Sequence, residues 1–124
     1  MILVDTSVWV DHFRRHETAL ADALERGDVL THPFVIGELA CGNLKHRGEV
    51  LSLLQAIPAA VVSSDAEVLH FIERRNLMGK GIGYIDAHLL ASVMLTEGAQ
   101  LWTRDRRLDA IAADLRLAFI SSAR

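Results

Sequence analysis

Ile2-Leu3-Val4-Asp5-Thr6-Ser7-Val8-Trp9 opens the chain, and its reading decides the fold. Three apolar, β-prone residues stop at a carboxylate. Two hydroxyl residues follow, and then the apolar positions Val8, Trp9, Val10 and Phe13. This pattern predicts a short strand, a polar strand end, and a helix for which Thr6 or Ser7 supplies the N-cap hydroxyl. The same alternation recurs downstream. Further strands are expected at 28–31, 59–62, 100–103 and 117–120. Helices are expected over 18–25, from Pro33 to about Lys45, and over 49–56. Others are expected from Ser64 or Asp65 to about Asn76, over 84–97, and over 108–113. Pro33 suits the first turn of its helix, and Gly98 closes the helix before it. Short apolar strands alternating with helices predict an α/β fold. The expected architecture is one domain over 1–124, a mostly parallel central sheet of about five short strands flanked by helices.

Composition agrees with a folded domain. The 124 residues are 51% hydrophobic and 23% charged, which argues against disorder. A net charge of −3 argues against a uniformly basic nucleic-acid coat and leaves room for a local basic patch. A single cysteine excludes an internal disulfide framework and suits a reducing compartment. The opening does not read as a signal peptide, and no apolar run reaches the roughly 18 residues that span a bilayer. The expectation is a cytoplasmic protein without a membrane partner.

Most acidic residues read as solvated surface, such as Asp11 beside Arg14 and Arg15. Four stand out. Glu38 has Phe34, Val35, Cys41 and Gly42 at helical spacing, and Asp86 has Ile82, Gly83, Leu89 and Leu90. Each reads as a carboxylate on an apolar helix stripe, and burial of an unpaired carboxylate is expensive. Asp5 directly follows Ile2-Leu3-Val4, and Asp105 trails Leu101-Trp102-Thr103. In an open parallel sheet such strand ends border the ligand crevice at a topological switch point. If the two strands are neighbours, all four acids can share that edge. At about 5 Å and an effective dielectric near 20, each ionised pair repels by about 3 kcal/mol. A hard divalent cation is the simplest compensation, and oxygen-only ligands favour magnesium or manganese over zinc.

These four acids, in this order and with this local text, resemble the PIN domain, and within it the VapC-type toxin ribonucleases of type II toxin–antitoxin pairs. The stretches that carry the resemblance are ILVDTSVW, VIGELACG, GIGYIDAHLLASVM and LWTRDRRLDAI, spanning Ile2 to Ile120. The resemblance implies a Mg2+-dependent endoribonuclease, with Mn2+ as substitute, that slows translation or growth by hydrolysing RNA. It places the catalytic and metal-binding acids on Asp5, Glu38, Asp86 and Asp105. Thr6, Ser7 and Thr103 would orient carboxylates or water. It also implies a homodimer and a VapB-type antitoxin partner, assembled as a toxin–antitoxin hetero-oligomer.

Lys80 and Arg104 each lie beside an acidic motif and are the preferred phosphate contacts among the basic residues. Other features carry less. His12 and His16 have ligand spacing but no H-E-x-x-H text. The Gly79–Gly83 loop lacks the Walker A text and instead shapes the turn into the Asp86 helix. Cys41 reads as a small core residue, Trp9 and Trp102 as core packing, and His88 as pointing away from the Asp86 face. Two other readings compete. A receiver-type signalling domain would need a late strand-end lysine, and Lys80 is the last lysine. A non-catalytic PIN-like RNA-binding or scaffold module would not need the complete acidic set.

Overall fold

The computed structural model describes residues 1–120; the remaining 121–124 of the one-domain reading lie outside the described residues. The chain begins with β1 (Ile2–Val4), α1 (Thr6–Arg15), α2 (Thr18–Glu25), β2 (Val29–Leu30) and α3 (Pro33–Cys41). It continues with α4 (Arg47–Ala56), α5 (Asp65–Arg74), α6 (Tyr84–Leu95), β3 (Gln100–Trp102) and α7 (Arg106–Asp114). No described helix is long and apolar enough to cross a membrane.

The sheet order is β2-β1-β3, and both pairings are parallel. The register sets Ile2 beside Val29 and Gln100, and Val4 beside Trp102. The expectation of about five strands is corrected to three among the described residues. The two outer segments are reduced to single parallel bridges, Thr31 with Ala59 and Leu101 with Ala118. In each only one residue pairs, so no ladder propagates.

β1 is buried along its whole length because helices cover both faces of a parallel sheet. Its carboxyl end faces a switch point, since the chain leaves β1 for β2 on one side and returns as β3 on the other. α6 is buried at every position from Ala87 to Val93. A helix apolar all round belongs inside the fold. α1 buries Val8 and Trp9, and Trp102 stacks its ring 4.9 Å from that of Phe119, so both tryptophans pack the core.

Helix ends follow local chemistry. The N-cap of α1 is Asp5 itself, whose side chain accepts the Thr6 N–H, so the expectation of Thr6 or Ser7 as cap is corrected. A carboxylate one residue earlier reaches the same orphan amides and favours the positive helix end. α5 starts with a capping box between Ser64 and Glu67. α3 stops at Cys41, short of Lys45, because Gly42 turns to extended backbone.

Candidate metal centre

Asp5 sits where β1 ends. Its N–H donates to the Trp102 carbonyl at 2.9 Å. Oδ1 accepts the Thr6 N–H at 2.8 Å, and Oδ2 accepts the Ser7 hydroxyl at 3.1 Å and the Thr103 hydroxyl at 2.7 Å. The side chain is nearly enclosed, with 8% of the residue exposed. Three donors fix its direction and none is charged.

Thr103 links two acids. While its hydroxyl donates to Asp5, its oxygen accepts the Asp105 N–H at 3.1 Å. Asp105 then caps α7: Oδ1 accepts the N–H groups of Arg107 at 2.9 Å and Leu108 at 3.0 Å. Thr103→Val keeps the shape and deletes both bonds. It is expected to cost about 1–3 kcal/mol, because the Asp105 N–H and one Asp5 oxygen lose a partner in a buried place. Denaturant midpoints at unchanged m-value check this.

Glu38 comes from the last turns of α3, and its Oε1 accepts the Thr6 hydroxyl at 2.8 Å. Asp86 is the third residue of α6, and its Oδ2 accepts the Gly83 N–H at 3.2 Å. Thr6, Ser7 and Thr103 therefore all touch the acidic cluster, as the D-T-S and T-R-D texts led one to expect. Two sequence readings are corrected. Glu38 is exposed and not buried on a stripe, because α3 is apolar on several sides and turns Phe34, Gly37, Glu38 and Cys41 outward. Cys41 is exposed for the same reason and is not a core residue.

The electrostatics point one way. Burial first, and then the negative charges of Asp5, Asp105 and Glu38, push the Asp86 carboxyl above its usual range. The Gly83 N–H pulls it down but is outweighed. Among the described residues, no ion pair reaches any of the four acids.

The donors present fit a hard divalent ion. All are oxygens, which suits magnesium or manganese and not a zinc cage of sulfur and nitrogen. The ring is open: no three His, Cys, Asp or Glu side chains among the described residues close tightly enough to hold an ion alone. Magnesium tolerates such openness, because it keeps several waters and takes one or two carboxylates directly.

The basic residues divide. Arg104 is engaged away from the acids: its Nε donates to Asp11 at 3.1 Å, its Nη2 binds Glu17, and its guanidinium lies 5.7 Å from the Trp102 ring centre. Its N–H donates to the Ser7 hydroxyl at 3.0 Å. Lys80 is exposed in the loop before α6, with no ion pair among the described residues. Arg107, one of the basic candidates the sequence ranked below Lys80 and Arg104, lies across Gly81 so closely that a Cβ there would stand 2.5 Å from its Nη1.

Gly81 also has φ +81°, a region unfavourable to residues with a Cβ. Gly81→Ala is expected to cost about 1–2 kcal/mol from backbone strain. The clash itself falls on a flexible side chain, so adding Arg107→Ala should recover only a small part of the loss. Urea titration of both variants measures the split.

A second polar cluster escaped the sequence. The Tyr84 hydroxyl donates to Asp65 Oδ1 at 2.6 Å, and His88 Nε2 lies 3.0 Å from the same oxygen. These two bonds, Tyr84 first, hold the Asp65 carboxyl below its usual range. His88 does point away from the Asp86 side, and no spacing in the sequence names its partner.

Comparison with known proteins places the chain in a family. A family model described as the PIN domain matches residues 2–114. Ribonuclease VapC32 of Mycobacterium tuberculosis, in strains CDC 1551 / Oshkosh and ATCC 25618 / H37Rv, is 48% identical over 118 residues, covering 95% of this chain and 95% of each relative.

Proposed function

The chain belongs to the PIN domain family, in its VapC-type group, and from that premise we propose that it is a divalent-metal-dependent endoribonuclease. It acts as the toxin of a VapBC-type toxin–antitoxin pair and slows translation or growth by hydrolysing RNA phosphodiester bonds. The observation that carries this reading is the convergence of Asp5, Glu38, Asp86 and Asp105 on one sheet edge, where the other three repel the Asp86 charge and no ion pair reaches any of the four among the described residues.

Asp5 and Asp86 would hold Mg2+, or Mn2+ in its place. A bound divalent ion supplies a water of lowered pKa and neutralises charge on phosphate oxygens. The chain's own groups do the rest. Ser7 and Thr103 aim the Asp5 oxygens, and Thr6 aims Glu38. Glu38 Oε2 and Asp105 Oδ2 accept no hydrogen bond among the described residues, so either oxygen can orient a water or take its proton. Lys80 contacts phosphate directly; Arg104 would first have to leave Asp11 and Glu17. The working form is a homodimer in the cytoplasm, silenced by a VapB-type antitoxin as a hetero-oligomer.

Attack by water leaves a 5′-phosphate and a 3′-hydroxyl and makes no use of the RNA 2′-hydroxyl. The test is cleavage of total RNA by the purified protein with Mg2+ or Mn2+, beside an EDTA control, with end-mapping. Discrete cuts bearing 5′-phosphates, absent in EDTA, are expected. Cyclic phosphate ends would sink the mechanism. RNA retention without cutting would favour the non-catalytic RNA-binding module.

A further inference from the structure

His32 and His88 stand on the two helices that present Glu38 and Asp86. His32 is the N-cap of α3, and its Nδ1 accepts the Phe34 N–H at 3.0 Å. That nitrogen therefore carries no proton, and the neutral ring holds its proton on Nε2. His88 lies in α6 with Nε2 against the Asp65 carboxylate, an acceptor only, so Nε2 carries a proton, and the neutral tautomer leaves Nδ1 as an acceptor. Burial is the main cause that holds the His32 ring down at about 4, so it is neutral at pH 7.

The two remaining nitrogens complement each other. His32 Nε2–H is a donor and, in the neutral tautomer, His88 Nδ1 an acceptor, both buried and both without a partner among the described residues. The residues are 0% and 2% exposed, and their rings stand 6.4 Å apart between centroids at 64°. A direct bond does not form at that separation. The Ser92 hydroxyl, one helical turn beyond His88 on the same face, is buried and unpaired as well. Leaving such groups unsatisfied costs about 1–3 kcal/mol each, and a buried water with three polar partners removes the cost.

We propose that one internal water binds between His32 Nε2–H and His88 Nδ1, with the Ser92 hydroxyl as its third partner. The bridge ties the start of α3 to α6. It makes His32 and His88 positioning residues that set Glu38 against Asp86. The Phe34 ring completes the brace, 5.2 Å from His32 and 4.7 Å from His88. The water site stands on its own; its effect on metal affinity rests on the metal-site reading above.

The test uses the whole chain without RNA. Long-range 1H–15N spectra at pH 7 are expected to show both rings with the proton on Nε2. The His32 Nε2–H should exchange slowly and show a cross-peak to a bound water. His32→Asn keeps a side-chain oxygen for the Phe34 N–H but has no group that reaches the water. It is expected to stay folded and weaken Mn2+ binding by about 10-fold, as loss of an outer-shell support does. Free Mn2+ read by electron paramagnetic resonance gives that number. A proton on His88 Nδ1, or a His32 Nε2–H with no cross-peak to water, overturns the bridge; unchanged Mn2+ affinity in His32→Asn overturns its role in positioning Glu38 against Asp86. A chain with both tautomers, the water and the Mn2+ loss, yet no RNA cleavage, keeps the bridge and removes only the nuclease reading.

Discussion

Asp86→Asn is expected to reduce RNA cleavage by about 100-fold or more, beyond the effect of losing a mere support. The same variant should melt above the parent in EDTA. Asp86 is partly buried and faces three other acids, so deleting its charge relieves repulsion in the folded state. Its hydrogen bond from the Gly83 N–H survives, because the asparagine oxygen still accepts. With Mn2+ at 100 times the parent's Kd the order should reverse, since the parent alone gains about 2.7 kcal/mol by mass action. A variant that cuts at the parent's rate would remove Asp86 from the mechanism.

The pH dependence of the metal-free chain follows from the same residue. The folded Asp86 carboxyl binds its proton more tightly than the ordinary 3.8 of the unfolded chain. Between 3.8 and the raised value the folded state holds more protons, so this contribution to stability falls as pH rises. Asp86→Asn removes that slope. His32 contributes with the opposite sign: its stability is complete above 6.5 and is lost as pH falls through about 4.

Trp9→Ala should be the most destabilising single change, at about 3–5 kcal/mol. The side chain is fully enclosed in α1 and stacks 5.8 Å from Phe13. A loss of that size is a large fraction of a typical domain's stability. Trp9→Phe should cost much less than its lost volume suggests. The Trp9 indole N–H is buried without an acceptor, and phenylalanine removes that orphan donor. Thermal melts of the two variants decide it; equal losses would mean the indole nitrogen is satisfied.

The strand-to-acid transitions were legible because they are local. Ile2-Leu3-Val4 ends at Asp5, and Leu101-Trp102 ends two residues before Arg104-Asp105, so pairing the strands brings the acids to one edge. The direction of Glu38 was not legible. An α3 with apolar residues on several sides does not reveal which of them turns outward. The outer two strands were overread, because hydrophobic text does not show that only Ala59 and Ala118 find partners. The His32–His88 pairing is set by the approach of α3 to α6, and nothing near either residue in the chain announces it. Arg104 looked free beside its motif, and only the fold shows Asp11 and Glu17 holding it.

The placement of β1 at the centre of a parallel sheet has a consequence for synthesis. Asp5 leaves the ribosome well before Asp105, its acidic neighbour across the β1–β3 pairing. At about 5–20 residues per second, some 100 residues separate them by about 5–20 s of translation. Until β3 arrives, β1 lacks one flank, the Asp5 oxygen lacks Thr103, and the acidic ring does not exist.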